Sequence, residues 1–169
     1  IFPITRRSGG GAGISNWITS WARVSARFGL EAWEDRGKYG VASAGLRLAS
    51  AHDRVTAGID ASSWMGEDGF GLIAASVRLR SRDDNGGRVF IVRGGGAAAT
   101  ESTPADLWFA GDTGNVRPSL LRAHPIVDDG MLESDRLGRA ITYVSGEVRQ
   151  WWTLKSIVHI GAAVFADAA

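Results

Sequence analysis

The sequence predicts an all-β fold, an antiparallel up-and-down meander of about eight strands. Three observations carry that expectation. Apolar and polar residues alternate with period 2 over runs of about ten positions, the signature of a strand with two unlike faces. Clusters of Asp, Asn and Gly separate the runs, as hairpin turns require. Glycine accounts for 23 of 169 residues and tryptophan for 7, with no cysteine. That composition suits tight turns better than helices.

The elements follow in order. Gly9-Gly10-Gly11-Ala12-Gly13 reads as a flexible surface loop, because it lacks the Lys-Ser/Thr of a phosphate loop and follows no clear strand. From Trp21 to Trp33 the even positions are Ala22, Val24, Ala26, Phe28, Leu30 and Ala32. Arg23, Ser25, Arg27, Gly29 and Glu31 lie between them, an alternation without error. Tyr39 to Ala51 alternates less cleanly. Val55, Ala57, Ile59 and Ala61 then oppose Thr56, Gly58 and Asp60, in a strand running to Trp64. Gly71, Ile73, Ala75, Val77 and Leu79 oppose Ser76, Arg78 and Arg80. Arg88 to Ala99 is a further strand with weaker contrast, and Leu107 to Gly111 is a short one. Ala140, Val144 and Val148 oppose Tyr143, Ser145, Glu147 and Arg149. Val158, Ile160, Ala162, Val164 and Ala166 oppose His159, Gly161 and Asp167. Turn chemistry lies at Asp35-Arg36-Gly37, Glu67-Asp68-Gly69 and Asp83-Asp84-Asn85-Gly86-Gly87. The four prolines all fall outside these runs, where they harm no ladder.

Composition excludes several classes of function. Without cysteine there is no disulfide scaffold, thiolate metal site or cysteine nucleophile. A formal net charge of +1 argues against a nucleic-acid binder driven by charge. No apolar run approaches the ~20 residues of a transmembrane helix. Asp112-Thr113-Gly114 spells the aspartic-protease tripeptide, but that chemistry needs two carboxylates sharing a proton and only one copy is present. His52, His124 and His159 have no metal-ligand spacing. Glu147 and Asp167 match a glycosidase pair only by type. The expectation is a protein without enzymatic activity, metal or cofactor.

An alternating meander suits a soluble barrel with an oily interior and a membrane barrel with an oily exterior equally well. Three features favour the membrane. Several runs reach the ~9–11 residues of a tilted membrane strand. The polar face carries charges of both signs in mid-strand, as a lumen of paired Arg and acids would. Trp21, Trp33, Trp64, Trp151 and Trp152 sit at strand ends, where interfacial aromatics belong. A soluble lipocalin-like barrel binding a small apolar ligand and a porin-like diffusion channel with an Arg-rich lumen stand as alternatives. Both ends of the chain read as cuts, so residues 1–169 are expected to be part of a larger transmembrane β-barrel. A long loop spans about 112–137.

From Leu107 onward the order of motifs narrows the choice. Leu107-Trp108-Phe109-Ala110-Gly111-Asp112 leads into a loop bearing Leu121-Arg122-Ala123-His124-Pro125. A strand with Ser145-Gly146-Glu147-Val148-Arg149 follows, and the next strand ends Val164-Phe165-Ala166-Asp167. This resembles the C-terminal barrel of the bacterial surface-antigen superfamily, the outer-membrane assembly (BamA-like) and two-partner-secretion β-barrels. In that family an Arg-Gly-aromatic loop tip folds into the lumen, and the next two strands carry an acidic-apolar-Arg stretch and a Phe-x-Asp stretch. Arg122, Glu147 and Asp167 match those positions, while Ala123 and His124 replace the tip glycine and aromatic. The resemblance implies a lumen network in which Arg122 pairs with Asp167, with Glu147 as second partner. It implies residence in the bacterial outer membrane, with outer-membrane lipids, β-rich client proteins and periplasmic accessory domains as partners. The implied function is insertion or translocation of clients by binding and strand exchange, without nucleotide.

Overall fold

The structure, a computed structural model, describes residues 6–83, 87–110, 127–128, 131–132, 137–154 and 158–169. Its long strands are β1 (Arg7–Trp17), β2 (Ala22–Trp33), β3 (Gly37–Ala49), β4 (Val55–Met65), β5 (Phe70–Arg80) and β6 (Arg88–Ala99). Four two-residue strands follow: β7 (Phe109–Ala110), β8 (Val127–Asp128), β9 (Met131–Leu132) and β10 (Leu137–Gly138). Two long strands, β11 (Ala140–Leu154) and β12 (Val158–Ala168), complete the chain. The eight long strands form one antiparallel sheet in the order β1-β2-β3-β4-β5-β6-β11-β12, and the short ones pair as β10-β7 and β8-β9. The fold is therefore the all-β meander that the alternation predicts. The sheet is open, with β1 and β12 at its edges.

Two memberships differ from the sequence reading. Leu107 to Gly111 contributes only β7, which pairs with β10 outside the main sheet. Its place among the eight is taken by β1, the glycine-rich stretch expected to be a loop. Glycine leaves no apolar–polar contrast to read, and its strand preference is low. What holds β1 is an eleven-residue register with β2, from Arg7 opposite Trp33 to Trp17 opposite Arg23. The two backbones approach so closely that a Cβ on Gly9 or Gly11 would lie 2.5 or 2.6 Å from a β2 carbonyl oxygen. Only glycine fits there.

The tight connections use the expected residues. Gly37 closes the β2–β3 turn at φ +83° and Gly87 ends the β5–β6 turn at φ +70°. The β3–β4 connection is a short 3-10 turn over Ala51–Asp53, with His52 and Asp53 both at positive φ. The Asp84-Asn85-Gly86 turn lies outside the described residues.

The ladder is strongly staggered. A line across it from Ser15 passes Ser25, Gly45, Asp60, Ala74 and Ala97 to reach Ile141. It begins two residues from the C-terminal end of β1 and finishes thirteen from that of β11. Measured from the opposite strand ends, the same line falls from eight residues to one. At ordinary strand spacings this stagger corresponds to a tilt of about 40–50°. Strands of 11 to 15 residues at that tilt rise by about 25–35 Å, at least the height of the ~25 Å apolar band of an outer-membrane barrel.

Candidate functional site

Directly paired residues share a face, so the registers sort every strand residue onto one side or the other. One face carries Phe28, Leu30, Ile59, Val77, Val92, Val148, Ile160 and Val164, all exposed. Phe28, Leu30 and Val164 keep 66%, 72% and 76% of their surface, and among the large apolar side chains named here none is covered, although Ala22 beside the β1–β2 turn is buried. The opposite face carries nearly all the strand charge: Arg7, Arg23, Arg27, Arg47, Arg78, Arg80, Arg93 and Arg149 with Glu31, Asp60, Glu147 and Asp167. Only Lys38 and Arg88, each within one residue of a strand end, fall on the apolar side.

The curvature follows the same division. Two hollows, of about 580 and 380 Å³, are lined mainly by residues of the polar face. The hollows, together with the buried Tyr39, Val89, Ile91 and Glu147 on the same side, make the polar face the concave one and the apolar face the convex one. Continuous apolar surface of this extent is unusual on a protein facing water only.

The most buried charged group on the concave face, among the described residues, is Glu147, 6% exposed on β11. Arg149 Nε donates to its Oε1 at 2.5 Å, and Arg93 Nη1 lies 3.7 Å from its Oε2. Two guanidinium groups thereby neutralise one buried carboxylate, the arrangement that makes burial of a charge tolerable. Ser145, also buried, is directly opposite Asp167 in the β11–β12 register. Glu147 is opposite Phe165, so Glu147 and Asp167 are diagonal neighbours on the concave face. The two acids are therefore neighbours on this face. Arg122, the third member of that set, lies outside the described residues.

A second cluster was not legible as a site in the sequence. Trp33, Tyr39, Trp64 and Phe70 form a buried core at one end of the concave face. Trp33, Tyr39 and Phe70 meet edge to face at 5.5–5.7 Å, and Trp64 stacks on Phe70 at 4.9 Å. Trp33 Nε1 and Trp64 Nε1 both donate to Glu31 Oε2, at 3.1 and 2.9 Å. Arg7 lies over the Trp33 ring, 4.8 Å from its centroid. The available signal was the odd-position spacing of Glu31 and Trp33, which puts them on one face two residues apart.

Two of the five tryptophans expected to be interfacial aromatics belong to this cluster. Trp33 and Trp64 are buried on the concave face, because Glu31 supplies the acceptor that their indole N–H groups need and Phe70 and Tyr39 cover their rings. Trp151 also belongs to the concave face, opposite Gly161, where a Cβ would strike the indole at 2.6 Å. Trp21, in the β1–β2 turn, and Trp152, on the convex face, remain exposed.

The connection between β6 and β11 begins over the same end of the concave face. Leu107 packs against the aromatic cluster. Thr100 N donates to Gly71 O at 2.9 Å, and Trp108 Nε1 donates to Thr103 O at 2.9 Å. These contacts turn residues 100–108 inward rather than away from the sheet. No protein-family model matches this chain, and neither a curated protein nor a solved structure matches it.

Proposed function

We propose that this chain is a segment of an outer-membrane β-barrel whose convex face meets lipid and whose concave face lines the lumen. The carrying observation is the sense of curvature: charges inside the bend, an uncovered apolar surface outside. A soluble lipocalin-like barrel requires the reverse, with the apolar face concave and covered. Strand lengths and stagger agree with a membrane-spanning wall.

Within that reading, an assembly or secretion factor of the surface-antigen type is the function best supported. The inward start of the long β6–β11 connection and the diagonal placement of Glu147 and Asp167 both agree with a loop anchored in the lumen. Such a barrel would act by binding and exchanging strands with β-rich clients, with no covalent chemistry.

Depleting the full-length protein in its native host tests this. Folded outer-membrane barrels or surface-secreted proteins should decline as it is removed, and Arg122→Ala should reproduce the defect more strongly than Arg117→Ala, which changes another arginine of the same 112–137 loop that the resemblance gives no lumen partner. Unchanged levels of both protein classes on depletion would sink the assembly and secretion reading.

A further inference from the structure

The charges of the concave face are unevenly compensated. Eight arginines face four carboxylates across the strands, a surplus of four positive charges on one face of a chain whose formal net charge is only +1. Part of the surplus gathers in one place. Arg93 and Arg149 are engaged with Glu147, and Arg54 pairs with Asp83 in the turns. Arg23, Arg47 and Arg78 form no ion pair among the described residues.

These three arginines converge on one place. Arg23 and Arg47 are directly opposite each other in the β2–β3 register, and Arg78 lies on β5 beyond β4. All three line the 580 Å³ hollow, together with Asp53 and Asp60. Two of them donate to neutral groups: Arg23 Nε to Ser15 Oγ at 2.7 Å, and Arg78 Nη2 to the Asp53 carbonyl at 3.4 Å. Two arginines placed opposite each other repel unless an anion lies between them or water screens them. Guanidinium groups offer several N–H donors in a fixed fork, suited to the oxygens of small oxyanions. A charged cleft with low-dielectric walls also raises the local concentration of counter-ions.

We propose that the hollow bounded by Arg23, Arg47 and Arg78 is a binding and transit site for small inorganic anions of the sulfate or phosphate class. The inference rests on the barrel reading, in which the hollow belongs to the lumen wall. Asp53 and Asp60 lower the formal charge of the hollow to +1 without reversing it, and Asp60 Oδ1 is directed over Gly45 on the same wall.

The test uses the full-length protein, free of other cysteines, in phosphatidylcholine vesicles. Ser25, exposed on the rim of the hollow, is changed to Cys, and Ile59 on the convex face is changed separately as a lipid control. Each thiol is reacted with a sulfonate-bearing and with a trimethylammonium-bearing methanethiosulfonate. Rates are divided by those of a free thiol, so that intrinsic reactivity and thiolate fraction cancel. Ser25→Cys should favour the anionic reagent by roughly five- to tenfold at low salt. The preference should shrink toward unity in 1 M salt, where the screening length is about 3 Å. Each of Arg23→Gln, Arg47→Gln and Arg78→Gln should lower it, and inorganic sulfate should slow the anionic reagent competitively. A ratio of one or below, or a Ser25→Cys thiol inert to both reagents, overturns the proposal. If Ile59→Cys stays shielded in those cases, only the anion site fails. If Ile59→Cys reacts as fast as Ser25→Cys, the convex face is in water, and the barrel reading falls together with the site.

Discussion

Trp64 donates its indole N–H to Glu31 Oε2 at 2.9 Å, reaching from β4 across β3 to β2. Trp33 donates to the same oxygen at 3.1 Å. One carboxylate thus links β2 to β4 across β3 on the concave face and accepts from both indole N–H groups of an otherwise apolar cluster. Glu31→Ala leaves both indole donors buried without that acceptor, at a cost of about 1–3 kcal/mol for each. Glu31→Gln retains an acceptor oxygen and should cost clearly less. Denaturant unfolding of the reconstituted full-length protein, followed by tryptophan emission, measures both. Equal effects of the two variants would show that the shared acceptor is unimportant.

Glu147 has a comparable role beside β6. Removing it takes away the carboxylate that both Arg93 and Arg149 engage. Loss of one member of a buried pair costs about 3–5 kcal/mol, and the partial exposure of both arginines places Glu147→Ala toward the lower end. A double-mutant cycle with Arg149→Ala should show strong coupling, because the two share the shortest contact of the network. Additive losses would mean that Arg149 acts elsewhere.

The convex face makes a directional prediction. Phe28→Arg and Ile160→Arg should each cost about 2–4 kcal/mol where they meet the middle of the bilayer. Ser43→Arg, on the concave face of β3, should cost much less. Folding yields into vesicles, read by the heat-dependent gel shift of intact barrels, separate the two faces. Tolerance of arginine at Phe28 and Ile160 would place that surface in water.

Acid should act first on the turns. The Asp83 carboxyl is held below its ordinary value by a backbone hydrogen bond and then by Arg54, whose Nη2 is 3.5 Å away. A depressed carboxylate pKa contributes stability that is fully present above the unfolded value of about 3.9 and is lost as pH falls through the folded value. Proteolysis within the 81–87 turn should therefore increase below about pH 4. Asp83→Asn should remove that pH dependence while leaving the strands intact.

Alternation alone was sufficient for the sheet, because side chains project to opposite faces at every step and a one-residue slip would exchange the faces completely. Trp21 to Trp33 and Val55 to Trp64 read correctly to within a residue or two for that reason, as did the faces of Glu147 and Asp167. It failed where the side chains carry no contrast. Gly9 to Gly13 became β1 because β2 offers it a ladder and a close backbone approach that only glycine permits. Arg93, in a strand that continues Gly94-Gly95-Gly96, gave no local sign that it would meet Glu147. The direction of curvature lay outside period 2 altogether, since alternation distinguishes two faces but not inside from outside. It depends on how eight strands stagger and coil together, and that relation exists only between strands far apart in the chain. The same holds for Trp33 and Trp64, whose positions at strand ends were plain from the sequence. Their inward burial depended on Glu31, Tyr39 and Phe70 arriving on the same face from neighbouring strands.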